Sequence, residues 1–433
     1  MISENMEKDY SEVLGLASDM GRLLMKYGAE SSLAKSVMLK ISEHYGVFSG
    51  EYSIQSNCIF TSETPKVAHY QNRFLKLDLY RLKAQRLQYV ADLYRLSEEI
   101  CEKNLSLKEA ESRMDEIRKK KLTPDWMLAL SAAVVAASYC LLLNASWLEV
   151  ATAAVVGMFT KATMLFNLKR TSIPTANILG GFVATMLCLF AGHLGLCSDE
   201  GIIINSILVL FFPGLALVNG IRDTANLDYM TGLTNLIHAA VILSCALIGS
   251  IIAIGCDYAI FGEFGLSPLT QSTPQAWPWM LVASVAASVG ISMLFHVPKR
   301  FHPIVGLFGI IGTVVKFFVA RWSAVNIPYQ QTVDMSFVGI LFAITIISLL
   351  ARVFQKSIKC PVTVLTIGTI IMMVSSPKIF WAMFCSVFNQ PELAQLCTRD
   401  SLFSIVAIVT GILLAMEMPK LPVSLGQGLR HDR

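Results

Sequence analysis

The stretch "LFFPGLALVNGIRD", residues 210–223, joins membrane-grade hydrophobic sequence to a break at Pro213 and Gly214 and then to Asn219, Arg222 and Asp223. A proline removes one helical hydrogen bond and pushes away the carbonyl four residues back, here that of Val209, while a glycine lets another backbone or a ligand come close. In hydrocarbon an unpaired backbone N–H or C=O is costly, so such a break is tolerated only against protein or a wet cavity. The chemistry expected at the break is bipolar. Carbonyls near Val209 can accept from an ammonium, and N–H groups after Gly214 can meet a carboxylate, a pair of poles that fits a zwitterionic amino acid. The plainer alternative is a kink that only shapes helix packing, since Pro and Gly are common in transmembrane helices. Asn219 and Asp223, just behind the break, are candidates for an inner gate or entry site, with a solvated loop as the alternative.

A second candidate lies in "MMVSSPKIFW", where Ser375, Ser376 and Pro377 precede Lys378 in the middle of an apolar run. A lysine that deep cannot easily snorkel, and intramembrane ionisable residues are functional candidates by default, so Lys378 is expected to line the pathway with Ser375 and Ser376. His238, a little over two turns into another span, could relay protons or be a hydrogen-bonded packing residue. No Walker loop, Ser/His/Asp set or H-E-x-x-H motif is present, which argues against an enzyme or an ATP-driven pump and leaves an ion gradient as the energy source. No cofactor and no metal site are expected, because the ten Cys include no C-x-x-C pair. Cys197, Cys256 and Cys397, near predicted outer loops, are the only candidates for a disulfide.

These residues must be positioned by membrane helices. The chain has 433 residues, 54% hydrophobic and 15% charged, far from the roughly 25% charged that is typical of soluble domains. Ten apolar spans near the length needed to cross hydrocarbon lie at about 126–143, 147–168, 173–196, 201–219, 229–256, 279–296, 303–321, 335–354, 361–388 and 401–418. Alternate crossings from a cytosolic "RKKK" place Lys169, Arg170, Arg222, Lys299, Arg300, Arg352, Lys356, Lys359, Lys420, Arg430 and Arg433 inside and only Arg321 and Arg399 outside. That asymmetry predicts a multi-pass protein of the cell (plasma or inner) membrane with both termini cytoplasmic. An echo between residues 164–181 and 293–310 suggests a parallel internal repeat, with a chance match in apolar sequence as the alternative.

Ahead of the spans, residues 1–124 hold 19 Lys/Arg and 18 Asp/Glu, more than half of the charged residues in the chain. The expected organisation is a small α+β cytosolic domain over residues 1–122, a first membrane half of five spans over 123–260 and a second over 261–433. The start of the chain is acidic and polar, without the basic and apolar regions of a signal peptide, so the first domain is expected to stay in the cytosol. Apolar residues from Val13 to Tyr27 and from Leu33 to Tyr45 recur at helical spacing, with Gly28 and Gly46 as stops. "EYSIQSNCIF" reads as a strand partnered by Val67–Tyr70, and a helix is expected from Phe74 to about Glu102. Ser106 and Glu109 form a capping box. The small net charge of +4, without a basic stripe interleaved with aromatics, gives no sign of nucleic acid. The expected partners are a small-molecule substrate and the lipid bilayer, with a homo-oligomer left open.

In "MGRLLMKYGAESS" the positions Gly21, Arg22, Leu23, Leu24, Gly28, Ala29, Glu30 and Ser31 resemble the opening of the threonine/serine exporter family. "LFFPGLALVNGIRD" is similar to a second segment of that family through Pro213, Gly214, Leu217, Asn219, Ile221 and Asp223, with Gly232 following. "MLFHVPKR" and "ISLLARVFQKSIKCP" look like its second half, which can also occur as a separate subunit. The resemblance covers nearly the whole chain in order. It implies a proton-coupled secondary transporter of ten spans that exports small hydroxy amino acids, threonine and serine. A two-chain version is associated with export of a dicarboxylate, succinate, which is the alternative substrate class. A membrane-anchored enzyme or regulator acting through residues 1–122 is the alternative from another class. One departure stands out: where the second half of the family has a Pro-Gly-like stretch in its ninth span, this chain has Ser375, Ser376, Pro377 and Lys378. That implies either a second pole rebuilt with a cation, suited to a more acidic substrate, or altered coupling. In the cytosolic domain, the motif Gly28, Ala29, Glu30 and Ser31 is explained without catalysis by a helix cap and turn.

Overall fold

The computed structural model describes residues 2–48, 50–55, 58–63, 71–76, 85–197, 199–262, 277–326, 336–374, 376–387 and 389–418. Helices α1 (Ile2–Lys26) and α2 (Ser31–His44) come first, followed by strands β1 (Gly50–Gln55), β2 (Cys58–Glu63) and β3 (Gln71–Lys76), then α3 (Leu87–Lys103) and α4 (Leu107–Lys119). The apolar stripe Val13, Leu16, Met20, Leu23 and Leu24 is buried. Helix α1 stops where Gly28 takes φ +100°, and the Ala29 N–H reaches back to the Leu24 carbonyl at 3.0 Å, the six-to-one bond of a Schellman stop. At the start of α4 the expected capping box forms: Ser106 N–H donates to Glu109 Oε2 at 3.0 Å and Glu109 N–H to Ser106 Oγ at 3.4 Å.

The strand region differs from the sequence expectation. Residues 51–60 are not one strand but parts of two, paired antiparallel with Ile54 opposite Ile59 and Gln55 opposite Cys58. Facing residues in an antiparallel pair share a sheet face, so Tyr52 and Ile54 share theirs with Ile59, whereas one continuous strand would have put Cys58 and Phe60 there. Phe74 does not open a helix; it lies in β3 opposite Phe60, and α3 begins at Leu87. The segment Val67–Tyr70 falls outside the described residues.

Among the described residues twelve further helices follow: α5 (Asp125–Leu142), α6 (Trp147–Leu168), α7 (Ile173–His193), α8 (Glu200–Leu208), α9 (Gly214–Ala225), α10 (Tyr229–Phe261), α11 (Trp277–Leu294), α12 (His302–Asn326), α13 (Ser336–Ile358), α14 (Val362–Met373), α15 (Ser376–Val387) and α16 (Pro391–Glu417). Among the described residues eight helices are long and apolar enough to cross a membrane, and ten crossings result if each bent pair is one span. The bent pairs are α8 with α9, at 56°, and α14 with α15, at 45°. Two boundaries shift most from expectation. The fourth span runs on to Ala225, and the tenth helix starts at Pro391, ahead of 401, because Asp400 finds a cation on α15 and need not end the helix.

The packing has a five-span period. Contacts of α5 with α6, α6 with α7, α7 with α10, α9 with α10 and α5 with α8 recur as α11 with α12, α12 with α13, α13 with α16, α15 with α16 and α11 with α14. In the first set, α7 and α10 approach to backbone contact at Gly181 and Gly249, where an added Cβ would meet Ala246 O and Ile178 O at 2.2 and 2.0 Å, the small-residue packing used between membrane helices. An odd period reverses direction. The fourth span ends, and the ninth begins, at the end of the bundle that carries α1–α4, since Asp223 bonds Ser31 and Thr363 bonds Glu30. The relation is therefore an inverted repeat, in which discontinuous helices are common. The echo between 164–181 and 293–310 aligned the second and third spans with the sixth and seventh, a period of four that the packing does not follow.

Helices α1–α4 sit on one end of the bundle, the docked end. Leu87 N–H donates to Phe295 O at 3.1 Å, Gln355 Nε2 to Tyr94 Oη at 3.1 Å, Arg300 pairs with Asp92 at 3.7 Å, and Lys359 pairs with Glu102. Exposed tryptophans at 126, 147, 277, 279 and 322 lie near helix ends, where an interfacial belt belongs. Cys197, Cys256 and Cys397, the candidates for a disulfide, are all free.

Candidate functional site

Helix α9 presents one face, Leu215, Asn219, Arg222 and Asp223, to the turn between α1 and α2. These positions are spaced i, i+4, i+7 and i+8, one stripe of a helix. Asn219, Arg222 and Asp223 are 6%, 4% and 0% exposed, so they are not the solvated loop that their place behind a hydrophobic span allowed. Gly28 supplies the close approach: a Cβ there would lie 2.8 Å from Leu215 Cδ2, and φ +100° is a conformation other residues resist.

Two segments singled out separately in the sequence thus meet. Asn219 Nδ2 donates to the Gly28 carbonyl at 2.9 Å, and Arg222 Nη1 donates to Glu30 Oε2 at 2.9 Å. Ser31 donates to Asp223 Oδ1 through its backbone N–H at 3.0 Å and its hydroxyl at 2.7 Å, and the same hydroxyl lies 2.7 Å from Asp228 Oδ2. Arg222 Nη1 also donates to Thr363 Oγ1 on α14, which is 3.4 Å from Glu30 Oε2, and Asn235 Nδ2 on α10 donates to Asp223 Oδ2 at 3.2 Å. Glu30 stands at the N-cap of α2 without a side-chain capping bond. Asp223 instead caps that helix from another element, where a carboxylate is favoured by the free N–H groups and the dipole. The cap-and-turn expectation therefore describes the backbone at Gly28 but not the side chains of Glu30 and Ser31, which are spent on α9.

At the break itself, part of the expected bipolar chemistry is consumed. The Val209 carbonyl accepts from Phe212 N–H at 3.2 Å and Gly214 N–H donates to Phe212 O at 2.8 Å, because residues 209–211 tighten into a 3-10 turn that re-pairs what the proline frees. Gly214 packs against Ile371 of α14, where a Cβ would fall 2.3 Å from Cγ1. Ile371 O in turn accepts from Tyr139 Oη at 3.1 Å. The broken fourth span thus rests on the last turn of α14, beside the break in the ninth.

Beyond that contact, toward the other end of the bundle, lies a cavity of about 770 Å³ whose lining includes Tyr139, Asn144, Thr313, Lys316, Arg321 and Lys378. Lys378 pairs with Asp400 at 2.8 Å, and Asp400 also meets Arg399 at 3.3 Å. Among the described residues the lining has three cationic side chains and no carboxylate. Ser375 lies outside the described residues, as does the side chain of Ser376. His238 is on the exposed face of α10, in line with exposed Leu233, Ile237 and Val241. It is one turn along α10 from Asn235, which donates to Asp223, and it is not among the residues that line the cavity. Thr363, Asn235 and Asp400 were not nominated from the sequence. The signal for Asp400 was its opposite charge to Lys378 at the edge of the next span; Thr363 and Asn235 gave none, because single Thr and Asn residues are ordinary in apolar helices.

Apolar crossings of this number, two of them broken and polar groups packed behind one break, define a multi-pass membrane transporter. The chain belongs to the threonine/serine exporter family: residues 15–256 match the family described as "Putative threonine/serine exporter" and residues 280–418 match "Threonine/Serine exporter, ThrE". Members are transporters and not enzymes. Relatives include a "Probable succinate transporter subunit YjjP" of Klebsiella aerogenes, 26% identical over 257 residues that make up 57% of this chain and 96% of the relative. The protein of the same name in Escherichia coli K12 is 26% identical over 56% of this chain and 93% of its own length. A "Threonine/serine exporter" of Corynebacterium glutamicum is 27% identical over 50% of this chain and 46% of the relative. No solved structure matches.

Proposed function

We propose that the protein is a proton-coupled secondary transporter of the cell inner membrane that exports threonine, serine and similar small amino acids, with α1–α4 forming a cytosolic domain. The basic residues Lys169, Arg222, Lys299, Arg300, Arg352 and Lys359 cluster toward the docked end while Arg321 and Arg399 lie toward the other, which supports a cytosolic docked end by the positive-inside rule. The observation that carries the substrate reading is that buried Arg222, whose guanidinium pairs with Glu30, stands next to buried Asp223, which shares the Ser31 hydroxyl with half-buried Asp228. Opposite charges side by side suit a zwitterion.

Proton coupling draws support from hydrogen counting. Ser31 Oγ is 2.7 Å from both Asp223 Oδ1 and Asp228 Oδ2, yet a hydroxyl has one hydrogen to give. The second contact is complete only when a proton sits on one of the two carboxyls. The pair is thus a place to take up and release a proton as the turn comes and goes.

Counterflow in proteoliposomes decides the substrate. Vesicles loaded with unlabelled threonine should accumulate labelled threonine and serine, and an imposed proton gradient should drive uptake against concentration. Absence of exchange with either amino acid would reject the reading.

The cavity supports a second reading, export of a dicarboxylate, because Lys316, Arg321 and Lys378 all line it. Lys378→Met should then cut succinate counterflow about tenfold and leave threonine counterflow near wild type. Equal loss for both would reject the selective role of that lysine.

A further inference from the structure

The contact on α9 has a chemical pattern. Glu30 brings a carboxylate to Arg222 Nη1 at 2.9 Å, within 3.4 Å of Thr363 Oγ1. The next residue, Ser31, brings a backbone N–H and a hydroxyl to Asp223 and Asp228. A carboxylate one residue from N–H and O–H donors reproduces, on a tether, the groups of a free hydroxy amino acid.

The receiving side is not saturated by the turn. Among the described residues, Arg222 Nε and Asn219 Oδ1 are buried without a partner, on residues only 4% and 6% exposed. The Nε hydrogen is an arm of the guanidinium fork that grips a carboxylate with two parallel bonds, and Glu30 uses Nη1 alone. Asn219 Oδ1 is an idle acceptor four residues from Asp223, on the same helix face. An ammonium carries three donors, enough for both carboxylates and one further acceptor, where the Ser31 hydroxyl carries one.

We infer that Arg222, Thr363, Asp223, Asp228 and Asn219 form an entrance site for a free α-amino acid, and that the Glu30–Ser31 turn is a tethered surrogate occupying it. This rests on the amino-acid reading above and adds the site and its built-in competitor. The substrate carboxylate takes Arg222 and Thr363, its ammonium takes Asp223 and Asp228, and the turn withdraws from α9. The charged groups facing the site are Arg222 and Asp223 on α9, Asp228 at the N-cap of α10 and Glu30 at the N-cap of α2; Asn235 and Thr363, from α10 and α14, are neutral.

Binding of labelled threonine to the purified full chain in nanodiscs tests this. Glu30→Gln alone, and with Ser31→Ala, weakens the surrogate, so the apparent Kd for threonine should fall at least fivefold. Adding Arg222→Gln should abolish binding. The swap Glu30→Arg with Arg222→Glu should restore the wild-type thermal midpoint but bind no threonine. If Glu30→Gln is monodisperse and binds threonine no more tightly than wild type while wild-type counterflow of threonine is intact, the turn is purely structural and the inference falls alone. If wild type exchanges succinate but neither threonine nor serine, the amino-acid reading falls and takes the inference with it.

Discussion

At the residue scale, side chains with no distinctive sequence pattern carry the site. Arg222 sat in view among other polar residues behind a span, yet nothing local to it announced a carboxylate from residue 30. Sequence spacing can place Asn219 and Asp223 on one helix face, but it cannot show which distant turn that face receives. Thr363 was invisible for the same reason. Conversely, His238 attracted notice by residue type alone and turned out to face outward with Ile237 and Val241. Another histidine is more consequential for stability. His296 is buried in the corner before α12 at φ +55°, and burial, then the charges of Arg86 and Lys161, push it down to about 4. Its unfolded value is near 6.5, so the unfolded chain binds the proton first and stability falls as pH drops from about 6.5 to 4, by on the order of 3 kcal/mol. His296→Asn, which tolerates the positive φ, should flatten this acid limb. Apparent thermal midpoints at pH 7 and pH 5 check it: wild type should lose more than the variant, and equal losses would contradict the assignment.

At the element scale, hydrophobic length and turn residues made most helices legible, because a span needs about 20 apolar residues whatever it packs against. The strands were less so, since the pairing of Gln55 with Cys58 changes which alternate residues share a face, and nothing in the apolar run marks that change. The break at Pro213 was readable; its local pairing was not, because the 3-10 turn at 209–211 gives the Val209 carbonyl a partner in the Phe212 N–H. What the break does is bend α8 from α9 by 56° and aim α9 at the α1–α2 turn. Pro213→Ala straightens this joint, lets the helix continue and moves the Leu215–Asp223 face off its partner. Threonine counterflow should fall at least tenfold, while the amount of folded protein after gel filtration stays within twofold of wild type. Normal transport by this variant would reduce the break to a packing kink.

At the scale of the whole molecule, two features join. The five-span period makes the fourth and ninth spans counterparts of opposite direction, and both are broken. On one side of the place where they meet at Gly214 and Ile371 lies the α9 contact with its bound turn, and on the other the cationic cavity. The sequence hinted at a repeat but at the wrong period, because a short apolar match is less informative than packing partners. If the α1–α2 turn closes the docked end of the pathway, as proposed, it must leave α9 for transport. The most direct measurement is a reversible lock. In a background with the ten native cysteines replaced, Glu30→Cys and Thr363→Cys are joined by a short bis-methanethiosulfonate linker and threonine counterflow is followed. Transport should fall to background when the linker is in place and recover on reduction; full transport by the locked protein would contradict the account.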